Sequence, residues 1–295
     1  MGDFGPAASE EREQLGDSLV AIKESVQDIH VLVTGFGPFK SNLVNPSFLI
    51  ASALPKIITI LQTTPTSTPR RILIHTHPVP IRVSYRAVRF TIPAIIDAFK
   101  NGHDGRPPDF VIHIGMANTR DYYAVETMAH RDDYGFTDVD GQVGFEDGEA
   151  IWKAMGLPEV LRPGPYQTPA PPQTPLNEIT TTITTTASHT PTCPSPPDAH
   201  FLKTWQSFVP PAADVRLSDD AGRYLCEFIY YTSLMHAYLE RRNRSVVFLH
   251  VPGRADDEAI QLGKEVAAGL KLEPGASGNV GCGFEWVWAW FWVED

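Results

Sequence analysis

The chain has 295 residues, of which 42% are hydrophobic and 20% are charged, a composition typical of a soluble protein with one large domain or two small ones. Its 24 basic and 35 acidic residues give a formal net charge of −11, which disfavours nucleic acid or an anionic membrane as the main partner. No run reaches the roughly 18 apolar residues of a membrane span, and the acidic N-terminus lacks the pattern of a signal peptide. Three scattered cysteines suit a reducing compartment, so we expect a cytoplasmic protein.

Apolar runs and helical spacing alternate along most of the chain. In chain order they predict a strand at 30–36, a helix at 45–55, a strand at 70–80, a helix at 82–100, a strand at 109–115, a helix at 219–240, a strand at 245–252 and a helix at 256–270. Asn45 is a candidate helix cap, and Pro93 is expected to kink its helix or to mark the true start. The alternation predicts an α/β fold, with an open, twisted and largely parallel sheet that carries helices on both faces, an α/β/α sandwich.

Three segments do not follow this alternation. Residues 1–28 predict an acidic N-terminal arm, and residues 273–295 form an atypical tail with tryptophans at alternating positions. A segment rich in proline and threonine at about 161–213 lacks periodicity, and its composition predicts that it cannot bury enough apolar surface to order itself. We therefore expect a single α/β domain over 29–272 that this insertion interrupts.

Cys226 and His250 occupy positions typical of a nucleophile and its base. Cys226 lies in the first turns of a predicted helix, where the helix dipole favours a thiolate. His250 ends a predicted strand, and open α/β sheets assemble their sites at such ends. The pattern alone leaves open that Cys226 is a small buried hydrophobe and His250 a core histidine. Glu126 is either a surface charge on a short strand or the acid that orients the imidazole.

The sequence does not predict a metal or a cofactor. His75 and His77 alternate on a predicted strand and point the same way, but no third ligand follows at a recognisable spacing. The acidic residues 138–140 lack the spacing of a calcium loop, and TGFGPF lacks the third glycine of a dinucleotide fingerprint.

Four segments resemble pyroglutamyl peptidase type I, a family of cytosolic cysteine peptidases. The segments are VLVTGFGPFKSNLVNPS, GMANTRDYYAVE, DDAGRYLCEFIYY and VVFLHVP, and they occur in the order of the family's motifs. The resemblance covers roughly 30–160 and 214–272. It implies an omega-peptidase that removes an N-terminal pyroglutamyl residue from peptides through a thioester acyl-enzyme, without a cofactor.

The resemblance also implies roles for single residues. Cys226 would be the nucleophile, His250 the general base and acid, and Glu126 the orienting acid. The implied substrate-binding residues are Phe36 and Phe39, which would sandwich the lactam ring, together with Asn45, the main chain of Met116, Tyr224 and Leu225. For Asn45 this role competes with that of a helix cap.

Two departures from the family pattern leave an alternative open. Where bacterial members have GQAGGR this chain has GMANTR, and Glu227 follows the nucleophile where asparagine is usual. A negative charge at that position is expected to raise the pKa of the thiol and slow catalysis. The alternative is a catalytically impaired relative that binds pyroglutamyl ends or acts as a scaffold. A different α/β hydrolase, or a nucleoside-type phosphorylase, would need convergent arginines that the sequence does not present. Whether the protein is a monomer or a homo-oligomer is left open.

Overall fold

Seven strands form one mixed sheet within the residues that the computed structural model describes, which are 28–60, 70–166 and 196–270. The elements, in chain order, are β1 (Ile29–Gly35), α1 (Pro46–Ala53), β2 (Ile57–Ile60), β3 (Arg70–Thr76), α2 (Tyr85–Gly102), β4 (Phe110–Ala117), β5 (Tyr123–Glu126), β6 (Ala129–His130), a π-helical turn (Phe145–Glu149), α3 (Ala150–Ala154), β7 (Val160–Leu161), α4 (Ala199–Phe208), β8 (Val215–Ser218), α5 (Leu225–Leu239), β9 (Val246–Pro252) and α6 (Asp257–Ala268). The predicted acidic arm, most of the predicted insertion and the tryptophan-rich tail lie outside the described residues.

The strand order is β2-β3-β1-β4-β9-β5-β8. The four central strands β3, β1, β4 and β9 are parallel to one another, and β5 is parallel to β8. The pairs β2–β3 and β5–β9 are antiparallel. The prediction of a largely parallel sheet is therefore confirmed, and the four predicted apolar runs are the four strands of its parallel centre.

Helices cover both faces of the sheet, as predicted. One apolar layer joins the sheet to α1, α4 and α6, and includes Ile50, Trp205 and Val266. The other layer joins it to α2 and α5, and includes Ile92 and Phe228. Within the described residues, no helix is both long enough and apolar enough to cross a membrane.

Local signals place most helix starts correctly. The Asn45 side chain accepts a hydrogen bond from the Ser47 N–H at 3.1 Å and so caps α1, as predicted. Ser84 caps α2, which runs from Tyr85 through Pro93, so Pro93 does not mark the start of that helix. Proline lacks only its own N–H, and the remaining hydrogen bonds of an 18-residue helix tolerate that loss.

The predicted lack of order over 161–213 is wrong for its C-terminal part. Residues Ala199–Phe208 form α4, which Asp198 caps by accepting from the Phe201 N–H at 2.9 Å. Phe201 and Trp205 are 6% and 1% exposed, and the Trp205 indole donates to the Val266 carbonyl at 3.1 Å. Two aromatic side chains four positions apart give one turn of helix a face to bury, which the average composition of the segment conceals.

Candidate active site

The carboxyl ends of β4 and β9 meet beneath the first turn of α5. Gly115 of β4 lies in register with His250 of β9. Cys226, the second residue of α5, is half-buried and lies over Gly115, since a methyl group placed on that glycine would be 3.0 Å from Sγ. The same methyl group would be 2.4 Å from the ring of Phe248, which packs against His250 with ring centroids 4.8 Å apart. A residue without a side chain at 115 thus leaves room for the thiol over the position that is in register with His250.

A buried carboxylate holds the imidazole. His250 and Glu126 are 3% and 0% exposed, and Nδ1 of His250 lies 2.7 Å from Oε1 of Glu126. Because a carboxylate only accepts hydrogen bonds, Nδ1 carries the proton, and the neutral imidazole presents Nε2 as its acceptor. Arg120 donates from Nη1 to the same carboxylate oxygen at 2.8 Å and from Nη2 to the Asp220 carbonyl at 2.8 Å. The burial of Glu126 excludes the alternative of a surface charge.

The electrostatics of the three groups favour a neutral pair beside an ionised acid. Burial, followed by the charge of Glu126, raises the pKa of the Cys226 thiol to about 12. Burial lowers the pKa of His250 below its usual value, although Glu126 opposes this. Burial also acts to raise the pKa of Glu126, but the hydrogen bonds and charge of its partners, His250 first, leave it below its usual value. The thiolate that we expected from the helix dipole is therefore not the resting form.

Glu227 lies in a compensated environment. Its side chain is fully buried, and Oε1 accepts from the His130 N–H at 3.0 Å and contacts His130 Nδ1 at 2.6 Å. Its other oxygen accepts from Arg223 at 2.6 Å. Glu227 does act to raise the pKa of Cys226, as expected, but burial, Glu126 and Arg120 each affect that pKa more.

Aromatic side chains lie near Tyr224, the residue that precedes the first turn of α5. The ring of Tyr224 lies 6.3 Å from Phe39 and 6.4 Å from Phe136, measured between centroids, and Nζ of Lys40 lies 4.9 Å from its centre. Phe39 is partly exposed, and Phe136 is 65% exposed. We call Phe39, Tyr224 and Phe136 the aromatic rim. The aromatic rim offers flat apolar surfaces, and its member Tyr224 lies two residues before Cys226 in the chain.

Comparison with known proteins yields a consistent set of relatives. A family model described as pyroglutamyl peptidase matches residues 29–151. Pyroglutamyl-peptidase 1 of Rattus norvegicus is 27% identical over 263 residues, which cover 85% of this chain and 95% of the rat protein. The Homo sapiens protein of the same name is 26% identical over 245 residues, which cover 81% of this chain and 86% of the human protein. The chain is similar in sequence to pyroglutamyl peptidases.

Solved structures show that the fold is shared. Pyroglutamyl peptidase I of Bacillus amyloliquefaciens matches with a TM-score of 0.51 and 19% identity, over 82% of this chain and 95% of that one. Pyrrolidone carboxyl peptidase of Thermococcus litoralis matches with a TM-score of 0.51 and 18% identity, over 82% of this chain and 92% of that one. At these identities the match concerns the α/β architecture.

The structure divides the residues that the resemblance to pyroglutamyl peptidases assigned to a substrate pocket. Phe39 and Tyr224 belong to the aromatic rim. Phe36 and Leu225 are 3% and 1% exposed and pack in the apolar layer of α2 and α5, so neither presents an open wall. Both residues belong to the matching motifs, but a motif does not indicate that these two side chains point into the core.

Asn45 and Met116 are both buried, and they lie near the carboxyl ends of β1 and β4. Asn45 is 5% exposed, and its Nδ2 donates to the Gly37 carbonyl at 2.9 Å while its oxygen caps α1. Both ends of the amide therefore hold the loop between β1 and α1, and the helix-cap role is confirmed. The pairing of β1 with β4 ends at Gly35 and Ile114. Met116 lies two residues further along β4, where no β1 residue pairs with it. Direct contacts of these two residues with a lactam stay predictions.

Sequence reasoning missed residues that complete the hydrogen-bond network. Arg120 holds the carboxylate of Glu126, and the Tyr230 hydroxyl donates to the Glu126 carbonyl at 2.9 Å. Gly115 provides the space under Cys226. The only signal for Arg120 and Gly115 was their place in the GMANTR segment. Phe136 carried no signal, because its position beside Tyr224 depends on packing.

Proposed function

We propose that this chain is a pyroglutamyl-peptidase I, a cysteine-type exopeptidase that removes an N-terminal pyroglutamyl residue from peptides. The observation that carries the proposal is the buried pair of His250 and Glu126, in a strand register that sets His250 next to the glycine under Cys226. All three residues lie in segments that resemble the family's motifs. The names of the relatives supply the substrate, an N-terminal pyroglutamyl group.

Neutral partners in the resting site define the first chemical step. Nε2 of His250 takes the thiol proton as Sγ of Cys226 attacks the carbonyl that links pyroglutamate to the next residue. The imidazolium that forms is stabilised by the ionised Glu126, whose 2.7 Å hydrogen bond to Nδ1 fixes the ring. His250 then gives its proton to the leaving amine, the C–N bond breaks, and a thioester of Cys226 remains. Water activated by His250 releases free pyroglutamate and restores the thiol.

The start of α5 supports stabilisation of the oxyanion. The first N–H groups of a helix have no partner within it, and Tyr224 makes no side-chain hydrogen bond to cap α5. Main-chain N–H groups beside Cys226 are therefore free to donate to the negative oxygen that develops on the attacked carbonyl. Arg120 is a positioning residue in this scheme, because it contacts Glu126 and not the reacting atoms.

The aromatic rim suits a lactam. A pyroglutamyl residue has no free α-amine, so its recognition needs an apolar surface with a few polar contacts and no carboxylate for a charged amine. Phe39 and Tyr224 supply that surface. Peptides with an N-terminal pyroglutamate are thus the proposed partners, rather than nucleic acid or membrane, and a cytoplasmic location is proposed with them. The proposal holds for a monomer or a homo-oligomer.

Cleavage of a fluorogenic pyroglutamyl amide by the purified full chain tests the proposal. The wild-type protein is expected to release the fluorophore and Cys226→Ser to lose activity. Cys193 lies in the proline- and threonine-rich segment, and Cys193→Ser is expected to keep activity. Thermal unfolding of each variant shows whether the protein is folded. Folded wild-type protein without cleavage would favour the impaired relative, and full activity of Cys226→Ser would refute the assignment of the nucleophile.

A further inference from the structure

Three histidines from distant parts of the chain meet near the C-terminal end of α2, away from Cys226. His30 is the second residue of β1, His75 lies near the end of β3, and His103 follows the last residue of α2. One ring nitrogen of each histidine lies within 4.8 Å of the others. All three side chains are half-buried. We call these residues the histidine cluster.

The separation of the ring nitrogens matches the needs of a metal ion. Nδ1 of His30 lies 3.1 Å from Nε2 of His75. Two nitrogens bound to one tetrahedral Zn²⁺ at about 2.0–2.1 Å lie about 3.3 Å apart. His103 has to approach by at most about 1.5 Å to reach the same distance, since its ring nitrogen lies within 4.8 Å of the other two. We propose that the histidine cluster binds a divalent transition-metal ion. Zn²⁺ is the ion that its three imidazole ligands suit best.

The ring of His103 is held by its neighbours. Nδ1 of His103 lies 2.8 Å from the Phe99 carbonyl, which can only accept, so Nδ1 carries the proton and Nε2 remains free to bind. A hydrogen bond from the second ring nitrogen to a carbonyl is a typical support for a metal-binding histidine. The ring of His103 also stacks on Phe99 with centroids 3.9 Å apart. At His30, the main-chain N–H donates to Asp109 at 2.8 Å, which fixes the start of β1.

Metal binding changes the contact between His30 and His75. One of the two facing ring nitrogens carries the hydrogen of that contact. Binding of a metal ion by both nitrogens therefore needs that ring to move its proton to its other nitrogen.

A surface groove gives access to one member of the histidine cluster. His75 lines a surface groove of about 580 Å³ between β3 and α2, whose other members include Phe90 and Phe99. Water that enters through this groove supplies the fourth ligand of a tetrahedral site. His77 lines the same groove but does not belong to the histidine cluster, which makes it a matched control.

The bound ion joins three elements rather than taking part in peptide cleavage. His30 lies five residues before Gly35, at which the pairing with β4 ends, and His75 is in register with Leu32, so the two are roughly 16 Å and 10 Å from that end of the sheet. An ion there ties the start of β1 to β3 and to the end of α2. Because only the folded chain brings the three histidines together, Zn²⁺ is expected to raise the melting temperature.

Calorimetric titration of Zn²⁺ into the full chain, stripped with a chelator, tests the proposal. Cys226→Ser is the background, so that the thiol does not bind zinc. We expect one site. Its zinc affinity is expected to fall at least about 100-fold in His75→Ala and in His103→Ala, which is more than the loss of an outer-shell partner causes. In His77→Ala the zinc affinity is expected to be unchanged. At 100 times the dissociation constant, zinc is expected to raise the melting temperature by roughly 5–10 °C in the background protein and in His77→Ala only.

Spectra of the Co²⁺-substituted protein add a readout of coordination. Intense visible bands of a tetrahedral site are expected in the background protein and are expected to be lost in His103→Ala. Melting in chelator shows whether each variant is folded. Equal zinc affinity in all three histidine variants, or an equal loss in His77→Ala, would overturn the proposal. So would the absence of a zinc-dependent shift in the background protein, a result that does not depend on any variant folding.

Discussion

Replacement of Gly115 by alanine tests the packing that sets Cys226 beside His250. The added methyl carbon would lie 2.4 Å from Cζ of Phe248 and 3.0 Å from Sγ of Cys226. Carbon atoms pack at about 3.5–4.0 Å, so one of these groups has to move by roughly 1 Å or more. Phe248 is fully buried, and its ring lies between those of Tyr230 and His250, at 5.8 Å and 4.8 Å between centroids.

Either movement disturbs the candidate active site, because a shift of Sγ moves the nucleophile and a shift of Phe248 presses on His250. Over-packing of a core typically costs about 1–3 kcal/mol, which corresponds to a fall in melting temperature of roughly 2–12 °C. A misplacement of about 1 Å in a reacting group costs on the order of 100-fold in rate. We thus expect Gly115→Ala to remain folded, to melt lower, and to lose about 100-fold in kcat/KM for a pyroglutamyl amide.

Gly135→Ala is the matched control. A methyl group there would meet nothing within 4 Å, and Gly135 is not among the glycines with positive φ, so melting temperature and kcat/KM are expected to stay at wild-type values. The measurement compares kcat/KM per folded molecule with thermal unfolding of the same preparations. Wild-type kinetics in Gly115→Ala would refute the placement of Sγ over Gly115.

Three further predictions concern the rim, pH and the core. Phe39→Ala is expected to lower kcat/KM by roughly 30- to 1000-fold with little change in melting temperature, because an aromatic contact worth about 2–4 kcal/mol is lost. Phe36→Ala is expected chiefly to lower the melting temperature. The reverse pattern would show that Phe39 does not contact the substrate. Burial lowers the pKa of His113 to about 3 from 6.5, so the unfolded chain binds its proton first and stability is lost as pH falls from about 6.5 towards 3. Urea unfolding should show that wild type loses about 2–3 kcal/mol more than His113→Gln between pH 6.5 and 4.5, and parallel losses would contradict this. Trp205→Ala is expected to lower the free energy of unfolding by about 3–5 kcal/mol because the indole is 1% exposed, and a surface-like effect below about 0.5 kcal/mol would place α4 outside the core.

Local patterns in the sequence determined the central sheet and the helix starts. The four parallel strands appear as continuous apolar runs because both of their faces are buried, and Asn45 caps α1 because its side chain is short and polar. The short strands β2, β5 and β8 were less visible, since each has only four residues. Helix α4 was missed because its two buried aromatic residues lie in a segment of polar composition.

Only the tertiary structure decided which side chains meet. Glu126 and His250 are 124 positions apart, and their contact depends on the antiparallel pairing of β5 with β9, which no local preference specifies. The same holds for the histidine cluster, where His75 gained its partners from β1 and from the end of α2 rather than from His77 on its own strand. Periodicity shows that a residue faces a core, but register and helix docking fix its neighbours. Those neighbours in turn set the burial that keeps the thiol of Cys226 protonated.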